Sequence, residues 1–115
     1  MLSLTELHAP EARILVVSGK IDAKTMGAFE DGIRALLEAG HSNLVIDLAD
    51  VPFISSAGLG ILMAVIEEVR EVGGDLTLAR VQPDVYRIFD MLDFTTLFRF
   101  FDTVDGAVEA LAAQG

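Results

Sequence analysis

Two adjacent hydroxyls followed by small residues are the part of this sequence best suited to chemistry: Ser55-Ser56-Ala57-Gly58-Leu59-Gly60. Asp47-Leu48-Ala49-Asp50-Val51-Pro52-Phe53-Ile54 precedes them, so the hydroxyls fall where an apolar strand turns into a helix. Either serine can cap that helix, its side-chain oxygen accepting an otherwise orphaned amide. Ala57, Gly58 and Gly60 leave the first turns almost bare, so another protein's backbone can come close. A hydroxyl on such a surface can accept phosphate, which adds about 1.5 to 2 negative charges at neutral pH. The helix dipole and free amides tolerate that charge, so phosphorylation would switch binding and spare folding. The plainer alternative is that the serines only cap and the glycines only permit close packing. Ile61, Ala64 and Val65 are also apolar off the core stripe of this helix, which suits either a contact face or a helix buried on several sides.

Other chemistries fit poorly. Gly58-Leu59-Gly60 lacks the third glycine of a dinucleotide fingerprint, and no Gly-Lys-Ser/Thr exists for a phosphate loop. Neither serine lies in a Gly-x-Ser-x-Gly elbow, and His8 and His41 both precede them, against the usual order of a serine hydrolase. A small ligand or nucleotide at the helix N-terminus lacks a nearby Lys or Arg. Asp47 and Asp50 could hold a cation, although two carboxylates near a turn are usually just solvated. With no cysteine and two distant histidines, no zinc site, disulfide or other cofactor site is expected.

The elements that must hold the serines can be read from the apolar pattern. At 115 residues, without repeats or a Pro/Gly/Ser-rich linker, residues 1–115 are expected to form a single domain. Residues 13–19 and 43–48 are apolar on both alternating faces, as strands covered on both sides are. Residues 2–8, 75–79 and 98–101 supply three more strands. A first helix carries Met26, Phe29, Ile33, Leu36 and Leu37 inward, with Asp22 as N-cap and Gly40 as stop. A second carries Leu59, Leu62, Met63, Ile66 and Val69 and ends at Gly73-Gly74. Pro83 opens a third with Val85, Phe89 and Leu92 inward, and Thr103 or Asp102 caps a fourth with Val104, Ala107, Val108 and Leu111. The order ββαβαβαβα is an α/β fold, a mixed sheet of about five strands with about four helices.

Charge and hydropathy narrow the partners. A net charge of -10 repels nucleic acid, which needs clustered Lys and Arg. The eight basic residues are scattered, so no polybasic membrane patch exists, and Glu67-Glu68 end the longest apolar run well short of a bilayer span. The opening Met1-Leu2-Ser3-Leu4-Thr5-Glu6 has no secretory character, which predicts a soluble cytoplasmic protein.

Phe53-Ile54-Ser55-Ser56-Ala57-Gly58-Leu59-Gly60 resembles the signature loop of STAS domains, found in anti-sigma factor antagonists and sulfate transporters. Gly19-Lys20-Ile21-Asp22 is similar to the family's Gly-x-(Ile/Leu)-Asp, and Leu44-Val45-Ile46-Asp47-Leu48 to its central strand. Val72-Gly73-Gly74-Asp75-Leu76 and Val85-Tyr86-Arg87-Ile88-Phe89-Asp90-Met91 resemble the segments that follow, so the likeness runs through nearly the whole chain. It implies a non-catalytic antagonist that binds an anti-sigma factor with serine kinase activity, freeing a sigma factor. Phosphorylation ends the binding and a serine phosphatase restores it. Ser56 falls on the phosphorylated position, with Ser55 the alternative. The chain departs from Asp-Ser-Ser/Thr-Gly-Leu-Gly, because Ser55 replaces the acid and Ala57 the second hydroxyl. The expected docking surface is Ser55, Ser56, Ala57, Gly58, Gly60, Ile61 and Ala64, on a monomer or weak dimer. The contrasting expectation is a constitutive STAS interaction subunit of a signalling or transport assembly in which Ser56 is not modified.

Overall fold

A computed structural model describes residues 1–113. Five strands and four helices follow one another as β1 (Ser3–Ala9), β2 (Ala12–Ser18), α1 (Met26–Glu38), β3 (Asn43–Asp50), α2 (Ser56–Glu71), β4 (Asp75–Ala79), α3 (Pro83–Met91), β5 (Arg99–Phe101) and α4 (Val104–Ala112). This is the α/β order read from the sequence. The strands lie in the order β1-β2-β3-β4-β5; β1 runs antiparallel to β2, and every later pair is parallel. The tight turn at Pro10-Glu11 permits only an antiparallel hairpin, whereas each later strand is reached through a helix that returns the chain to the same end.

Helices cover both sheet faces, which is why the central strands are mostly apolar. Leu44 to Leu48 and all of β4 are buried. On one face Leu15, Val17, Leu44, Ile46, Leu76 and Leu78 pack against Phe29 and Ile33 of α1, Leu59, Leu62 and Ile66 of α2, and Val85 and Phe89 of α3. On the other, α4 sets Ala107 and Leu111 over Ala12, Ile14, Val45 and Ala79. No helix among the described residues is long and apolar enough to cross a membrane.

Three local expectations need correction. The N-cap of α1 is Thr25, not Asp22; the Asp22 carboxylate instead accepts the amides of Lys24 at 3.0 Å and Thr25 at 3.2 Å in a turn ahead of the helix. Leu92 does not point inward: α3 stops at Met91, and Leu92, its C-cap, is 42% exposed. Val65 is fully buried, so it belongs to the core and not to an exposed face of α2. Between Asp102 and Thr103, the cap of α4 is Thr103, whose hydroxyl accepts the Gly106 amide at 3.0 Å.

Candidate functional site

The serine loop is held by backbone, at the carboxyl ends of two parallel strands. Past a register shift at the end of β2, the Gly19 amide donates to Asp50 O at 3.0 Å. The Ile21 amide then donates to Phe53 O at 2.9 Å, and the Ser55 amide to Ile21 O at 2.8 Å, so Ile21 and Ile54 form a parallel bridge. Both isoleucines are fully buried. The β2–β3 ladder is thus extended into the loops, and the start of α2 is anchored to the core.

The two serines do different things. Ser55 is the N-cap of α2: its backbone is extended, with φ -76° and ψ 163°, and its hydroxyl accepts the Gly58 amide at 3.1 Å. Ser56 is the first helical residue; its side chain is exposed and makes no hydrogen bond among the described residues. Amides in the first turn of a helix have no intrahelical acceptor, so a negative charge at Ser56 would sit beside unsatisfied donors.

The small residues divide in the same way. Gly58 is buried, and a Cβ on it would come within 2.8 Å of Ile21 Cγ2 and 2.9 Å of Ile54 Cγ1. Its missing side chain therefore serves internal packing beneath the loop, in contrast to the expectation that it bares the surface. A Cβ on Gly60 would meet nothing within 4 Å. Ser56, Ala57, Gly60 and Ala64 are exposed and Ile61 is half-buried, so these five share an outward surface along the first half of α2, with Ser55 half-buried at its start. Phe53, 42% exposed and one residue before the bridge, was not among the expected contact residues.

Asp47 is not a solvated carboxylate. It is buried near the end of β3, where its Oδ2 receives Arg80 Nη2 at 2.5 Å and its Oδ1 receives Arg80 Nε at 3.2 Å and the Ala49 amide at 3.1 Å. The two-pronged contact with Asp47 drives the Arg80 guanidinium further above its ordinary pKa. Gln82 Nε2 donates to Ala49 O at 2.7 Å, a second tie from the β4–α3 turn to the strand that feeds the serine loop. An aspartate within an apolar strand was the sequence signal for such a partner. Asp22, in the loop bonded to the serine loop, has its carboxyl pKa lowered by the Lys24 amide first, against an opposing effect of desolvation, with Thr25 also lowering it. Both Asp47 oxygens are thus engaged by Arg80, and no group of three or more His, Asp or Glu suited to a metal occurs among the described residues.

This α/β sandwich belongs to the STAS domain family, whose model matches residues 5–107. Its relatives include the anti-sigma-F factor antagonist RsfB of Mycobacterium tuberculosis, 32% identical over 95 residues, covering 83% of this chain and 77% of that protein. The crystal structure of an anti-sigma factor antagonist from Mycobacterium paratuberculosis is 28% identical, covers 97% of this chain and 95% of its own, and superposes with a TM-score of 0.88. The same fold recurs at 14% identity in the Bacillus cell fate determinant SpoIIAA in its phosphorylated form, with 94% of this chain and 98% of that one covered and a TM-score of 0.72. These likenesses place the chain with regulatory proteins, not enzymes.

Proposed function

We propose that this STAS domain is an anti-sigma factor antagonist whose binding is switched at Ser56. Its partner in this reading is an anti-sigma factor with serine kinase activity, and a serine phosphatase resets the switch. The observation that carries the assignment is the division of labour at the helix start. Ser55 is committed to the Gly58 amide, whereas the Ser56 hydroxyl is exposed and unbonded. Ala57, Gly60, Ile61 and Ala64 continue the docking surface, and Ser55 and Gly58 shape it from below. A phosphate on Ser56 is tolerated by the free amides of α2, so the fold persists. A partner surface fitted to a small neutral face would meet bulk and charge without a compensating group, a penalty of about 2–5 kcal/mol at a desolvated contact. Partners of this kind operate in the cytoplasm, and the net charge of -10 fits contact with protein and not with DNA.

The test uses the intact chain and its Ser56→Ala and Ser56→Asp forms to capture partners from cells that contain the protein, after circular dichroism has shown all three folded. The expected result is a kinase-type anti-sigma factor retained by the first two and lost by Ser56→Asp. Incubation with that partner and ATP should place phosphate on Ser56 in the unaltered chain and none in Ser56→Ala. Equal retention by all three forms would instead support a constitutive interaction subunit.

A further inference from the structure

β1 closes one side of the sheet, and among the described residues β2 is its only strand neighbour. Sheet edges are usually blunted by charged side chains, lysine above all, by proline, by a bulge or by a covering segment, because their free N–H and C=O groups recruit another strand. β1 has few of these: Ser3–Ala9 holds neither lysine nor proline, its one acidic side chain is Glu6, and it pairs with β2 in unbroken register, from Ser3↔Ser18 to Ala9↔Ala12. Thr5, Glu6, Leu7 and His8 are all exposed, and Leu7, at 48%, is among the large apolar side chains left in water. The charge distribution also favours this edge for contact between copies. Residues 1–20 contain Glu6, Glu11, Arg13 and Lys20, which cancel, so the whole excess of negative charge lies elsewhere in the chain. The segment itself therefore adds no net charge to a contact between copies.

Alternation gives the edge two distinct faces. Leu4 lies beside Gly32 of α1, so Glu6 and His8 share that face; Ala9 packs with the α4 cluster, so Thr5 and Leu7 share the other. We propose that β1 is a homotypic docking edge, on which a second copy of this chain pairs antiparallel with Leu7 at the twofold axis. In that register the two Leu7 side chains meet, and Thr5 faces the second copy's Ala9. Glu6 faces the second copy's His8, twice by symmetry. Adjacent registers that keep the faces aligned are worse. With Glu6 on the axis two carboxylates meet, with His8 on the axis Glu6 faces Pro10, and with Thr5 on the axis Glu6 faces Leu4. Glu6 and His8 already contact one another within the strand at 2.5 Å, and His8 also faces Arg13 across the β1–β2 ladder. The added acid from the second copy thus comes near the Arg13 guanidinium as well as the His8 ring. One strand edge buries much less than the roughly 1,200 Å² of a stable complex, so the association is weak and concentration-dependent. Antiparallel pairing sends the two Ser56 loops to opposite ends of the joined sheet, leaving both free.

The test is sedimentation of the intact chain from micromolar to millimolar concentration, with circular dichroism to show each variant folded. The weight-average mass should climb from 12.4 kDa toward twice that value. Leu7→Lys, which places two ammonium groups on the axis, and Glu6→Lys, which faces His8 with a cation, should each weaken association roughly tenfold. Combining Glu6→Lys with His8→Glu sets opposite charges facing one another across the axis and should recover most of the loss. A chain that stays monomeric at millimolar concentration would overturn the proposal. So would association unchanged by Leu7→Lys, or a double variant no better than Glu6→Lys alone.

Discussion

Two glycines of α2, two residues apart, should respond to the same substitution with opposite sign. Replacing glycine by alanine inside a helix contributes about 0.5–1 kcal/mol of stability, because the unfolded chain loses freedom that the helix never uses. At Gly60 nothing lies within 4 Å of the added methyl, so Gly60→Ala should realise that gain. At Gly58 the methyl would stand 2.8 Å from Ile21 Cγ2 and 2.9 Å from Ile54 Cγ1. Both isoleucines are fully buried and β-branched, hence stiff at χ1, and neither can swing aside without moving the bridge under the serine loop. Overpacking of this kind costs about 1–3 kcal/mol, which outweighs the helix gain and leaves Gly58→Ala destabilised by roughly 1 kcal/mol. The two variants should therefore differ by about 2 kcal/mol. Urea unfolding measures this directly, provided the slopes agree, and a difference of this size moves the midpoint by about 1 M. If Gly58→Ala proves as stable as Gly60→Ala, the packing of Ile21 and Ile54 beneath the loop is wrong. On the proposed function Gly60→Ala also adds bulk to the docking face, so the more stable protein should bind its partner less well.

Further outcomes follow from the same geometry. Ser55→Ala removes the cap on the Gly58 amide and should cost about 1 kcal/mol in unfolding experiments, whereas Ser56→Ala should stay within about 0.5 kcal/mol of the parent. Arg80→Met strands the buried Asp47 carboxylate. Removing one partner of a buried pair costs about 3–5 kcal/mol, but Arg80 is half exposed and water can partly replace it, so a loss of about 2–3 kcal/mol is expected in urea titration. The Asp22 carboxyl pKa is lowered on folding, so its contribution is present above the ordinary value of 3.8 and is lost as pH falls through the folded value. The stability difference between the parent and Asp22→Asn should thus shrink below about pH 4, as followed by thermal melts across the acid range.

The layer order was legible because parallel strands buried on both faces leave an unmistakable apolar pattern, and the helices between them carry a clear inward stripe. All nine elements fall where that pattern places them. What escaped the pattern were distinctions made by three-dimensional neighbours. Gly58 and Gly60 look alike in sequence, yet one meets two isoleucines and the other meets solvent. Val65 lies off the core stripe in a helical projection, but α2 is wedged deeply enough to bury it. Asp22 is a good N-cap by residue type, but its carboxylate is taken by the turn through Lys24 and Thr25, which delays the helix to Met26. Ser55 and Ser56 were interchangeable as caps until the Ile21–Ile54 bridge fixed the loop and set Ser55 where its hydroxyl reaches the Gly58 amide. The partner of Asp47 lay thirty-three positions away at Arg80, beyond any local reading.

The most direct test of the proposed switch compares the chain carrying phosphoserine at position 56 with the unmodified chain, measuring both thermal unfolding and affinity for the captured anti-sigma factor. The switch predicts that the phosphorylated chain stays folded, with a midpoint within a few degrees of the parent, while its affinity falls by about 100-fold. Equal affinity of the two forms, or loss of binding that merely tracks unfolding, would contradict it.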